Sequence, residues 1–137
     1  MIAGTWHETI SNGLIAGAQR VLDGAGAAHT LVRVPCSFEL AVAAQAAFAG
    51  GADAVVALGV IIRGGTPHFE YVSSATTDGL SRVALDAGKP VGFGVLTLDD
   101  EQHGLDRAGL DGSKEDKGAE AADAALRTAL VVRALRG

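Results

Sequence analysis

The sequence predicts an α/β fold, a three-layer α/β/α sandwich with four parallel strands at its centre. Three observations carry this. Strand-like and helix-like patterns alternate four times along the chain, and such alternation gives a parallel sheet with right-handed crossovers and helices on both faces. The run VVALGVII at residues 55–62 is continuously apolar and rich in β-branched residues, as suits a strand buried on both faces. Hydrophobic residues make up 48% of the chain and aromatics only 4%, with 19 glycines beside them, a composition suited to helices packed closely on a sheet. A length of 137 residues suits one domain spanning 1–137, with a real hydrophobic core.

The elements follow in order. Residues 2–5 read as a first strand, short for its place, closed by Trp6 and His7. Ile10, Leu14, Ala18, Val21 and Leu22 form a helical stripe that stops near Gly24 and Gly26. Residues 30–34 alternate as a second strand. Pro35-Cys36-Ser37 is a turn, with Ser37 as the cap of a helix that holds Phe38, Leu40 and Val42 and runs to Gly50-Gly51. The third strand covers residues 54–58, and the apolar run continues to a break at Arg63-Gly64-Gly65. Thr66 as N-cap and Pro67 as first helical residue then open a helix. Phe69, Val72, Thr76, Leu80 and Val83 recur along it at helical spacing, and it ends about Ala87. Lys89-Pro90 restarts the chain, and residues 91–96 form the fourth strand. Residues 99–106 read as a short helix or structured loop. Ser113 with Asp116 resembles a capping box, and a last helix is expected over residues 115–135.

The net charge of -5 argues against nucleic acid as a partner. No apolar stretch is long enough to cross a membrane, and no basic region followed by an apolar segment marks a signal peptide. The single cysteine, Cys36, excludes an internal disulfide and offers no metal pattern, which fits a reducing cytoplasm. It has no base beside it in sequence and reads as inert.

In a parallel sheet, ligands bind outside the carboxyl ends of the strands. That rule selects residues 5–7, 35–39, 59–68 and 93–97. The central one is the Gly64-Gly65-Thr66 turn, where free N–H groups and the positive end of a helix dipole suit a phosphate or carboxylate. It is neither a Walker loop nor a dinucleotide fingerprint, and a Gly-Gly pair between strand and helix is most often only a tight turn. His68, in the first helical turn, reads as a surface residue or as a proton shuttle beside the anion. Trp6 and Phe93 are core anchors or stacking surfaces for a flat heterocycle. Glu39 favours a helix start in any case, and could also accept hydrogen bonds from a polyol. Arg107 and Lys117 are ordinary solvated charges unless they reach the anion; a lysine at a helix start runs against the dipole.

Several segments together resemble the 6,7-dimethyl-8-ribityllumazine synthase family. They are Val34-Pro35, Ser37-Phe38-Glu39-Leu40, the stretch ALGVIIRGGTPHFEYV at residues 57–72, Gly94-Val95-Leu96-Thr97, Asp106-Arg107-Ala108-Gly109 and Lys117-Gly118 with Glu120-Ala121-Ala122. The resemblance covers nearly the whole chain in order. It implies a flavodoxin-like fold and the condensation of 5-amino-6-(D-ribitylamino)uracil with 3,4-dihydroxy-2-butanone 4-phosphate, without metal or organic cofactor. It further implies that Gly65, Thr66 and Arg107 hold the phosphate and that His68 moves protons. Trp6 would stack on the pyrimidine, Val60, Ile61 and Ile62 would flank it, and Ser37, Phe38 and Glu39 would hold the ribityl chain. Phe93, Arg107 and Lys117 would come from a neighbouring subunit. Cys36 and Ala41 stand where the family usually has a small turn residue and a proline. Family members also usually carry more residues ahead of the first strand. The connection between Arg107 and Lys117 is longer than in icosahedral members and lacks their glycine kink, which implies a free homopentamer. Riboflavin synthase is a candidate partner. Two alternatives share the fold: a riboflavin synthase of the archaeal type, which has no need of a phosphate site, and a non-catalytic lumazine- or flavin-binding or scaffolding pentamer.

Overall fold

The computed structural model describes residues 1–137. In chain order it runs β1 (Ile2–Gly4), α1 (Glu8–Gly24), β2 (Val32–Val34), a 3-10 turn (Ser37–Glu39), α2 (Leu40–Ala49), β3 (Val55–Ile62), α3 (His68–Ala87), β4 (Val91–Leu98), α4 (Glu101–Leu105) and α5 (Lys117–Arg136). The four strands form one parallel sheet in the order β2-β1-β3-β4. The chain therefore steps from β1 to β2 on one side and returns to β3 and β4 on the other. The reversal lies between β1 and β3, where ligands of open α/β sheets bind.

The period-two alternation of the strands sorts the core into two layers. Ala3, Val56, Leu58, Leu96 and Leu98 meet α1 and α5 through Leu14, Ala18, Leu22, Ala121, Ala122 and Ala125. Ile2, Val55, Ala57, Ile61 and Val95 meet α2 and α3 through Leu40, Ala44, Phe48, Leu80 and Val83. Each fully buried leucine or isoleucine stabilises the fold by about 1.5–3 kcal/mol. α5 has only alanines and Gly118 to bury, so its hold comes from close approach. A Cβ on Gly118 would collide with the backbone of Leu14 in α1, and only glycine lets the two helices meet there. This is the three-layer, flavodoxin-like α/β/α architecture expected.

Several boundaries differ from expectation, each for a local reason. β3 runs to Ile62 and β4 to Leu98, because the two strands pair along their whole length, from Val55↔Val91 to Ile62↔Leu98. β2 starts at Val32, because the three residues of β1 offer no partner before it. Ser37 does not cap a helix. Cys36 takes the cap position of the 3-10 turn and donates its N–H to Glu39 Oε2 at 2.9 Å. Thr66 does not cap α3 either. Pro67 stands at the cap position, its carbonyl accepts the N–H groups of Glu70 and Tyr71, and helical geometry begins at His68. The capping box at Ser113 is replaced by Asp116, whose carboxylate accepts the Ala119 N–H at 3.0 Å, so α5 begins at Lys117. Ser113 instead closes its own loop, accepting the Leu110 N–H and donating to the Leu105 carbonyl. That loop also turns at two left-handed glycines, Gly109 (φ 67°) and Gly112 (φ 83°). No helix is long and apolar enough to cross a membrane.

Candidate active site

β3 outruns β1. Their pairing stops at Ala3↔Leu58, while β3 continues to Ile62. Val60, Ile61 and Ile62 therefore have β4 on one edge and no strand on the other. Trp6 lies just past the end of β1, 67% exposed, beside this open edge. The turn carrying it is stitched down. Thr5 donates its N–H to Val34 O and its hydroxyl to Pro35 O, and both Ser11 Oγ and Arg33 Nη2 donate to Gly4 O at 2.9 Å. His7 follows in the left-handed region (φ 56°), the only residue other than glycine with positive φ. This strained corner sits where the chain must reverse beside the mouth of the sheet.

Ser37 is wedged at the same mouth. It is 3% exposed, and its Oγ fills the space a Cβ on Gly59 would need, so only glycine fits in β3 at that point. Thr76 of α3 donates its hydroxyl to the Ser37 carbonyl, which ties α3 to the turn between β2 and α2. Ser37 Oγ itself is buried without a partner. Phe38 projects outward, 59% exposed. Glu39 uses one carboxylate oxygen on Cys36 N–H, and the other has no partner in the chain. Burial, with the Glu39 carboxylate beside it, pushes the Cys36 thiol up from its ordinary pKa.

The glycine turn is the least encumbered part of the site. Residues 64–66 are exposed and make no hydrogen bond within the chain, so three successive N–H groups point to no internal acceptor. The first turn of α3, with His68 exposed in it, adds its own free N–H groups. Arg63 is anchored at the start of this turn. Its guanidinium donates to Asp99 Oδ1 at 3.0 Å and Glu70 Oε1 at 2.7 Å, and lies 4.3 Å above the Phe69 ring.

Three expected site residues lie elsewhere. Phe93, 46% exposed, pairs with Ala57 in the first half of β4, roughly 17 Å below the Leu98 end at ~3.3 Å per residue. Arg107 donates to His103 O and lies 3.5 Å from Glu115. Lys117 sits 3.3 Å from both Glu115 and Glu120. Those two carboxylates offset the unfavourable placement of a lysine at a helix start and hold its pKa above the ordinary value. Arg107 and Lys117 thus share Glu115 on the α1/α5 side, where Ala108 and Asp116 pack against Gly13 and Gly17 of α1. No hydrogen bond or ion pair joins Phe93, Arg107 or Lys117 to residues 64–68 within one chain.

The profile of the 6,7-dimethyl-8-ribityllumazine synthases matches residues 1–133. The chain belongs to the 6,7-dimethyl-8-ribityllumazine synthase family. Relatives bearing that name are similar throughout. The chain is 74% identical to one from Leifsonia xyli subsp. xyli, with all of this chain and 87% of the relative covered. It is 69% identical to one from Clavibacter michiganensis subsp. michiganensis, over all of this chain and 86% of the relative. One from a Nocardioides species is 62% identical over 98% of this chain and 84% of the relative.

Within the lumazine synthase framework, sequence reasoning missed the residues that work through others. Thr76 appeared only as an apolar-stripe position, though its hydroxyl holds Ser37. Arg63 marks, in sequence, only the break after a strand. Its signal was an acid seven residues on, at Glu70, on the helix that the same turn begins.

Proposed function

We propose that this chain is a 6,7-dimethyl-8-ribityllumazine synthase, a transferase of riboflavin biosynthesis. It would condense 5-amino-6-(D-ribitylamino)uracil with 3,4-dihydroxy-2-butanone 4-phosphate and release phosphate and water. The observation that carries this reading is the unpaired backbone of residues 64–66, set between the open edge of β3 and the start of α3. A phosphate accepts hydrogen bonds from such N–H groups and is favoured by the helix dipole. A flat uracil fits the edge of Val60, Ile61 and Ile62, with Trp6 as its stacking surface. Glu39, with one carboxylate oxygen free, and Ser37, with an unpartnered hydroxyl, offer acceptor and donor to a ribityl chain that Phe38 covers.

The nucleophile is the substrate's own amine, so the protein needs none. It supplies proximity, an anion site at Gly65 and Thr66, and a proton shuttle at His68 during imine formation and phosphate loss. No metal or organic cofactor enters this chemistry. Arg107 completes the phosphate site, and Phe93 and Lys117 line the pocket, from the next subunit of a homopentamer. The separation of these three residues from residues 64–68 within one chain supports that division. A cytoplasmic enzyme with a single reduced thiol is consistent with this reading, and riboflavin synthase would take its product.

Purified protein mixed with the two substrates is expected to form lumazine, followed by its absorbance. No product at any enzyme concentration, with lumazine still bound, would leave a non-catalytic binding pentamer. Conversion of added lumazine to riboflavin would favour the archaeal-type riboflavin synthase, which the phosphate-accepting turn argues against.

A further inference from the structure

We infer that Arg63 is a positioning residue of the phosphate site: its guanidinium clasps the end of β4 to the first turn of α3 and so fixes the path of residues 64–66. The inference rests on the reading of Gly65 and Thr66 as phosphate-binding. Residues 64–66 cannot hold their own shape. They make no hydrogen bond within the chain, and around Gly64 and Gly65 there is open space where side chains would otherwise pack. Free N–H groups bind an anion well only when they are already aimed. Something outside the loop must aim them.

Arg63 is placed to do this. Its N–H donates to Leu98 O at 2.8 Å, which seats it at the end of the sheet. Its side chain then reaches two elements at once. Nε holds Asp99, the residue after β4, and Nη1 holds Glu70 in the first turn of α3, while the plane stacks on Phe69. The loop is therefore closed at both ends by one planar group. Only arginine has a fork that serves two carboxylates and a ring face together. With two acids against one base, the cluster carries a net negative charge, so Arg63 offers little attraction of its own to a phosphate. Glu70 stays ionised down to acidic pH, because its own backbone N–H and Arg63 hold its carboxyl below the ordinary value. All three charged side chains are substantially exposed, and exposed pairs of this kind add little to global stability. The effect belongs on ligand binding.

The test uses Arg63→Gln, Arg63→Lys and Glu70→Gln in the full chain. Readouts are KM for the butanone phosphate, inhibition by inorganic phosphate, kcat, Tm and hydrogen exchange at the amides of residues 64–66. Arg63→Gln is expected to raise KM and the phosphate inhibition constant about tenfold, with kcat and Tm nearly unchanged and faster exchange at the three amides. Arg63→Lys is expected to restore little, since an ammonium cannot hold both acids and stack. Glu70→Gln is expected to weaken phosphate in the same direction. If Arg63 were itself a phosphate ligand, Glu70→Gln would free it and tighten phosphate, and Arg63→Lys would rescue; either result overturns the clasp. Unchanged constants in Arg63→Gln also overturn it. A wild-type enzyme that inorganic phosphate does not inhibit, and that Thr66→Ala leaves unaltered, would remove the phosphate site and the clasp with it. That outcome is distinct from a phosphate-inhibited enzyme indifferent to Arg63.

Discussion

At the scale of single residues, position decided more than type. Cys36 shows this. The sequence gives it no base, and the structure half-buries it beside the Glu39 carboxylate, where burial and that neighbouring charge raise its pKa. A thiol raised in the folded state adds stability in full below its ordinary value of 9.0 and loses that contribution as pH rises through the folded value. Alkylation of Cys36 by iodoacetamide should accordingly be slow at neutral pH and reach half its limiting rate only above pH 9.0. A half-point at or below that pH would contradict the burial of the thiol beside Glu39.

At the scale of elements, the sandwich depends on close approaches that glycine permits. Periodicity alone identified α1 and α3, whose stripes of Leu14, Ala18 and Leu22, and of Thr76, Leu80 and Val83, are buried. It said little about α5, whose alanines carry no strong stripe. α5 is held by its packing on α1 at Gly118 and by Asp116, which caps it and pairs with Arg20. Gly118→Ala forces a methyl into the Leu14 backbone, and such overpacking costs about 1–3 kcal/mol. Thermal unfolding should show a Tm lowered by several degrees, whereas Gly24→Ala, whose added methyl meets nothing, should change it little. Equal effects at the two sites would mean that the α1–α5 contact is looser than described.

At the scale of the whole molecule, the candidate residues divide into two groups. Trp6, Ser37, Phe38, Glu39, Val60, Ile61, Ile62, Gly65, Thr66 and His68 gather at the carboxyl end of the sheet. Phe93, Arg107 and Lys117 do not. If a neighbour supplies the second group, then His68→Ala and Arg107→Ala damage different halves of the same site. Co-assembled at equal amounts, roughly a quarter of the sites regain both intact halves by random mixing. Activity above that of either variant alone is the expected result. No recovery, in oligomers shown by sizing to be mixed, would place both halves on one chain. Sizing of the wild type should give a pentamer, the assembly proposed above.

The sequence by itself determined the class of fold, a buried strand beginning near residue 55, the turn at Gly64-Gly65-Thr66 and the list of candidate residues. These follow from local properties: β-branched runs, helical spacing and glycine between them. Only the tertiary structure decided how far β3 outruns β1, because strand length is set by the partner and not by the strand. It also decided where α3 and α5 begin, since the free backbone groups took Pro67 and Asp116 instead of Thr66 and Ser113. The role of Arg63 was invisible for the same reason. Its two acids lie 7 and 36 residues away in sequence and meet only once β4 and α3 are folded side by side.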